Sequence, residues 1–454
     1  MEKTKDFKEK FSGAFSRAGA FFSEHWFGVS VAVVLALLAF FVRFAFFGWK
    51  SWDYENKLAP WFEVIRNGGG FAGLKNLVGM PGYDYPAAYM YILAIFSYFK
   101  GDSCVLIKIS SIIFDFLMAF YVGLIARRFR KTDTTFCFAF GVTLFLPTVF
   151  LNSGAWAQCD SVFTCFLVMS FYYMLQGKGN RCMVFFALAF AMKTQAVFFA
   201  PVLVIALLKR KIPFYTPLVA ILAYAVIGLP GIICGMGFKA SYLNFVVQIG
   251  LYPSLTLNTP NLYNWIASSI SEEWRNMFAS GMVICAFGLT ALALLPLYRS
   301  RYRTDRDGVW LVMAYFFAAF LPFILPHMHE RYWFVADVFA VLFLCYNPKK
   351  WYIAVLLWLP SMYVVVSVLT VAYSASGVGL GILALLLSAG TGFLGYALYR
   401  EVQDHPVGED EDTTLFPKSG KLLKSAPVPE KTATEAAPDP AAAPLSPVKD
   451  PCDE

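Results

Sequence analysis

His327-Met328-His329-Glu330-Arg331-Tyr332 is a cluster of ionisable side chains wedged between two apolar runs, 309–325 and 333–346. Ionisable groups at bilayer depth are costly and mark places where something polar is handled. Two further interruptions have the same character: Trp52-Asp53-Tyr54-Glu55 after the first apolar run, and Trp156-Ala157-Gln158-Cys159-Asp160 after the run 134–151. A topology that puts all three on one side of a membrane makes them a single site.

Composition sets the class. The chain is 58% hydrophobic, 18% aromatic and only 15% charged, far more apolar than a soluble domain, which predicts an all-α polytopic membrane protein. The run 27–47 is too long for a signal-peptide core and lacks a small-residue cleavage site, so it is expected to be a retained helix. A net charge of +7 is spread in short Lys/Arg clusters between apolar runs, which is an orientation signal and not a nucleic-acid surface. The nine cysteines are odd in number, mostly inside apolar runs and without CxxC spacing, so they suggest neither a disulfide frame nor a zinc site.

The basic clusters orient the chain. Lys3, Lys5, Lys8, Lys10 and Arg17 make residues 1–26 a basic amphipathic arm, placed in the cytoplasm by the positive-inside rule. Runs at 27–47, 104–126, 134–151, 161–176, 182–193, 195–208, 214–234, 277–298, 309–325, 333–346, 351–373 and 377–399 give about 12 transmembrane helices. The thirteen-residue run 87–99 reaches roughly 20 Å against a core of about 30 Å, so it is expected as a half-inserted helix of a long first outer loop. The pair 182–193 and 195–208 is basic at both ends and reads as a hairpin with Lys193-Thr194-Gln195 at its outer apex. Residues 235–276, with Tyr252, Asn258, Tyr263 and Trp265, suit an outer interfacial stretch with an aromatic belt. The organisation is thus the arm, a transmembrane module at 27–346, C-terminal helices at 347–400, and a disordered tail at 401–454 with both termini cytoplasmic.

On this topology Trp52, Asp53, Glu55, Asp84, Trp156, Gln158, Asp160, Lys193, Gln195, His327, His329, Glu330, Arg331 and Tyr332 all fall on the outer side. Arg43, Lys108 and Asp337 sit about one turn inside the outer helix ends, and Asp115, deeper on the face of Lys108, suggests a helix-packing ion pair or a cavity floor. Carboxylates, an arginine and aromatics in an outer-leaflet cavity suit glycosyl transfer from a polyprenyl-phosphate sugar. A carboxylate takes the acceptor's proton, cations stabilise the departing phosphate, and aromatics stack on sugars. The partners expected are a lipid-linked sugar donor, a glycan or glycolipid acceptor and membrane lipid, without nucleic acid or cofactor. Bland roles compete at every position. Asp53 can equally cap the helix that follows, Asp160 can cap the run at 161, and Lys193 can neutralise a carboxylate. Arg331 can anchor at the interface, and Trp52 and Trp156 belong to residue types commoner in membrane belts. His327 and His329 are spaced as a metal pair but lack a third ligand at recognisable spacing, so no metal is expected. A transporter or flippase of lipid-linked sugars also needs intramembrane charges, but it usually shows paired repeats with broken helices, whereas polarity here is one-sided. An O-antigen-type ligase or polymerase fits the same residues.

Trp52-Asp53-Tyr54 with Trp61 and Asn67-Gly68-Gly69-Gly70-Phe71, Tyr83-Asp84-Tyr85-Pro86 with Tyr89, Gly154-Ala155-Trp156-Ala157-Gln158-Cys159-Asp160-Ser161, Lys193-Thr194-Gln195-Ala196, and Pro326 to Tyr332 occur in that order. Together they resemble the bacterial mannosyltransferase-like proteins related to the second GPI mannosyltransferase, within the GT-C superfamily of membrane glycosyltransferases. The resemblance covers about residues 27–346 and departs at Cys159, a variable position. It implies an inverting transferase acting on the outer face with a polyprenyl-phosphate sugar such as a mannose-like hexose, Asp53 as the base, and short amphipathic helices of the first loop helping to build the site.

Overall fold

A backbone in hydrocarbon must satisfy its own polar groups, so apolar runs of this length fold as helices. The computed structural model describes residues 2–248, 254–371 and 377–406. The expected disordered tail from 407 onward, and Tyr252, lie outside the described residues.

The first helix, α1 (Glu2–Phe44), runs through the expected boundary between arm and membrane segment, with a kink at His25. It ends at Phe44 and not at 47, because Lys108 takes over the terminal carbonyls. Its Nζ donates to Phe46 (2.7 Å), Phe47 (3.4 Å) and Trp49 (2.5 Å). The first loop contributes α2 (Ala59–Asn67) and α3 (Ala87–Ser97). α3 occupies the run expected to be half-inserted, and it packs on α2 and on α4 (Ser103–Phe129) with Tyr89, Met90 and Leu93 buried.

The run expected as one helix at 134–151 is two, α5 (Asp133–Phe145) and α6 (Pro147–Gly154), bent by 52°. Pro147 has no N–H to continue the ladder and excludes the helical region for Leu146, which is extended (φ −63°, ψ 122°). Next come α7 (Asp160–Leu175), α8 (Gly179–Met192) and α9 (Ala200–Leu208), the last two joined by a 3-10 turn at Thr194–Phe199. The expected hairpin is an open V: α8 packs on α7 and on α10 (Thr216–Ile233), while α9 packs on α12 (Glu272–Arg299) and α13 (Asp307–Ile324), with α11 (Gly237–Tyr242) between. Both limbs start and finish at the same end, since a Cβ on Gly179 would meet Pro213 at 2.7 Å and Lys209 Nζ reaches the Ser300 carbonyl at 2.7 Å. α14 (Phe334–Tyr346), α15 (Trp351–Val371) and α16 (Gly377–Gln403) complete the bundle, and α16 extends past residue 400, where the tail was expected to begin.

Among the described residues seven helices are long and apolar enough to cross a membrane, eight if α5 and α6 count as one span. The expectation of about twelve exceeds this by α7, α8, α9 and α14, which are short helices running through the protein interior. One departure from all-α structure is a parallel pairing of β1 (Thr256–Leu257) with β2 (Met328–His329), which stitches the stretch before α12 to the third polar interruption. Tyr263, expected in an aromatic belt, is instead fully buried with its hydroxyl donating to the Ile324 carbonyl at 2.7 Å.

One end of the bundle collects the basic clusters. His25 meets Asp133 at 2.7 Å, Arg127 meets Asp133 at 3.3 Å and Arg128 meets Asp307 at 2.5 Å. The opposite end carries the three polar interruptions. Between them the buried Asp115 pairs with Arg43 of α1 at 2.7 Å, and not with Lys108 on its own helix. Ser153 donates to the same carboxylate oxygen at 2.5 Å, and Arg43 also donates to the Ala39 and Leu144 carbonyls at 3.0 Å each. Removing one member of a buried pair strands a charge, so Arg43→Met is expected to cost about 3–5 kcal/mol in detergent unfolding. Arg43→Met/Asp115→Leu recovers much of that loss; a double variant as unstable as the sum of the singles would contradict the pairing.

Candidate functional site

Ser51 starts the construction. Its hydroxyl donates to the Trp156 carbonyl at 2.8 Å and accepts the Tyr54 N–H at 3.1 Å, so Ser51 caps the helical segment that begins there. Asp53 makes no capping bond. Its carboxylate turns to the second interruption instead, where Oδ2 accepts from Trp156 Nε1 and Gln158 Nε2, each at 2.8 Å. Residues Tyr54–Leu58 wind as a π-turn, a rare local widening frequent at functional positions. Asp53 and Lys57, four residues apart, both line the same cavity.

The third interruption closes the site through Arg331. Its Nη2 lies 3.6 Å from Asp53 Oδ2, Nη1 3.5 Å from Asp160 Oδ2 and Nε 3.4 Å from Glu330 Oε1, with the guanidinium 5.1 Å from the centroid of the Trp156 ring. These are ion contacts at the long end of hydrogen-bond range, and they gather side chains from positions 53, 160 and 330. Asp160 is buried at the start of α7, where it pairs with Lys193 and accepts from Asn152 Nδ2 at 2.8 Å.

The cavity has a volume of about 510 Å³, within the range that small-molecule sites occupy. Of the residues expected from sequence, Trp52, Asp53, Asp84, Trp156, Gln158, His329, Glu330 and Arg331 line it. The others do not. Glu55 is exposed on the far side of the π-turn. Lys193 spends its charge on Asp160, as its bland reading had it, and Gln195 is buried beside it, 7% exposed. Tyr332 packs its ring against Phe198 (6.3 Å) and His329 (5.4 Å). His327 serves as an anchor: its Nδ1 lies 2.8 Å from the Ser254 carbonyl and its N–H donates to Leu255 at 2.8 Å, which holds it at φ +62°. The metal-pair alternative therefore loses one of its imidazoles to the backbone.

Charge states are set by burial. His329 is pushed down to about 3, first by burial and then by Arg331 and Lys193, so it is a neutral imidazole and does not add a cation to the cavity. Burial pushes the Glu330 carboxyl up against the opposing pull of Arg331, and pushes Asp84 up against Lys57, 3.5 Å away.

Sequence reasoning missed Lys50, Lys57, Asn258 and the α15 residues Val368 and Leu369, all of which line the cavity. Lys57 carried a signal in its four-residue spacing from Asp53. The two α15 residues carry no such signal, because an apolar helix end bears no chemical mark. No protein-family model and no curated protein matches the chain.

The depressed His329 value gives a pH signature. Below pH 6.5 the unfolded chain takes a proton that the folded protein refuses until about pH 3, so His329 removes stability progressively across that window and none above it. His329→Gln is expected to keep more of its stability than wild type as pH falls through this range in thermal melts. Identical acid profiles for the two proteins would contradict the buried neutral imidazole.

Proposed function

We propose that the protein is an inverting membrane glycosyltransferase that moves a hexose from a polyprenyl-phosphate donor to a glycan or glycolipid acceptor. The observation that carries the proposal is a carboxylate, Asp53, fixed by two side-chain N–H donors on the wall of the cavity that Arg331 also lines. Both hydrogen bonds and the Arg331 contact fall on Oδ2. Oδ1 is then the oxygen that takes the proton of the acceptor hydroxyl as that hydroxyl attacks the anomeric carbon. The bond from the anomeric carbon to the phosphate oxygen breaks on the opposite face, the lipid phosphate leaves with the electron pair, and configuration inverts. Arg331 supplies preorganised positive charge where negative charge develops. The exposed Trp52 offers a ring face to the sugars, and Asp84 and the neutral His329 offer hydrogen bonds to hydroxyls.

The same reading places the cavity on the outer face of a bacterial cytoplasmic membrane, with the basic end inside by the positive-inside rule. It treats the short interior helices as members of a GT-C-like bundle of about twelve. The alternation of basic and polar ends along the chain supports this orientation.

Purified protein supplied with synthetic polyprenyl-phosphate sugars is expected to turn over. Asp53→Asn should lower kcat by about 10²–10⁴-fold while donor binding persists. Arg331→Lys, which keeps the charge but loses the fork, should also be impaired, and Glu55→Gln, outside the cavity, should match wild type. Turnover unimpaired in Asp53→Asn, or none with any such donor, overturns the proposal.

A further inference from the structure

We infer that Lys50, which no motif singled out, is the binding residue for the lipid phosphate of the donor, at an apolar mouth through which the isoprenoid tail leaves the cavity. This rests on the transferase reading and adds the place where the lipid part of the substrate sits. The charge inventory comes first. Three cations line the cavity, Arg331, Lys57 and Lys50. Arg331 is already surrounded by Asp53, Asp160 and Glu330 at 3.4–3.6 Å. Lys57 lies 3.5 Å from Asp84 and donates to the Gly82 carbonyl at 3.0 Å. Lys50 is exposed and makes no ion pair or hydrogen bond among the described residues. A dianionic or monoanionic phosphate entering beside three carboxylates needs net positive charge, and Lys50 is the cation with charge to give.

Its surroundings name the rest of the ligand. Trp49 and Trp52 flank it, 46% and 54% exposed, and the cavity wall includes Val368 and Leu369 of α15. α1 and α15 both pack on α6, so the segment following α1 and the end of α15 face the mouth from two helices that share one floor. Both helices are apolar enough to cross a membrane. The mouth therefore joins hydrocarbon to a polar cavity, with aromatic rings and one cation at the junction, which suits a long apolar chain ending in phosphate. The backbone there is held in place: Lys108 grips the carbonyls of Phe46, Phe47 and Trp49, and Ser51 is bonded to Trp156.

The test is binding, separate from turnover. Undecaprenyl monophosphate is titrated into the full-length protein in nanodiscs, with undecaprenol as the control that lacks phosphate. Lys50→Gln is expected to weaken monophosphate binding by about five- to tenfold, to leave undecaprenol binding unchanged, and to be restored by Lys50→Arg. In turnover assays the same variant should raise donor KM with little change in kcat, in contrast to Asp53→Asn. Saturable monophosphate binding that Lys50→Gln does not weaken overturns this inference and leaves the transferase reading standing. No saturable binding by wild type overturns both.

Discussion

The largely buried guanidinium of Arg331 is the constraint on which the site depends. A cation removed from water is strongly destabilising unless carboxylates and ring faces replace its hydration. Here the replacements come from Asp53, Asp160, Glu330 and the Trp156 ring, and so from all three polar interruptions of the chain. The electrostatics balance to a useful degree. Asp160 is shared between Arg331 and Lys193, Glu330 is shifted by burial toward its neutral form, and Asp53 is left at the cavity wall with its orientation set by two hydrogen bonds. The fold thus holds a carboxylate in the open by surrounding its neighbours with compensating charge.

That balance reaches into the membrane through the shortest of the buried helices. α6 exists as a separate element because Pro147 bends the chain by 52°. Its Asn152 then meets Asp160 of the site, and its Ser153 meets Asp115, the partner of Arg43. Two buried ion pairs on different helices are therefore joined to one rigid turn. A straight helix from 133 to 154 would carry these side chains along another axis.

Much of this was legible in the residues. The polar interruptions stand out because hydrophobic surroundings make each ionisable group costly, and the basic clusters correctly put 53, 156–160 and 327–332 at one end. The V at 182–208 was also readable, since basic residues flank it on both sides. What was hidden has physical causes. Hydropathy does not distinguish a helix facing lipid from one packed in protein, so the sequence does not show that α14, thirteen residues long, is almost entirely buried. Spacing does not give the direction of a side chain: His327 and His329 look like a pair, yet a left-handed backbone at His327 sends one to the 254–255 backbone and leaves the other in the cavity. Glu55 and Asp53 are likewise two residues apart, and the π-turn exposes the first while the second faces the cavity. Asp115 pairs with Arg43 and not with the nearer-in-sequence Lys108 because α1 and α4 both pack on α5 and α6, which brings Arg43 to Asp115 and which a single helix pattern does not encode.

The central claim is geometric: a lipid-linked sugar lies with its anomeric carbon before Asp53 and its phosphate on the cationic side of the same cavity. The most direct measurement is an electron cryomicroscopy map of the full-length protein with a non-transferable phosphonate analogue of a polyprenyl-phosphate hexose. The account predicts sugar density between Asp53 and the Trp52 ring, with the phosphonate turned toward the cations of the cavity wall, Arg331 and Lys50. Density for the analogue outside this cavity, or a sugar whose anomeric carbon faces away from Asp53, would contradict it.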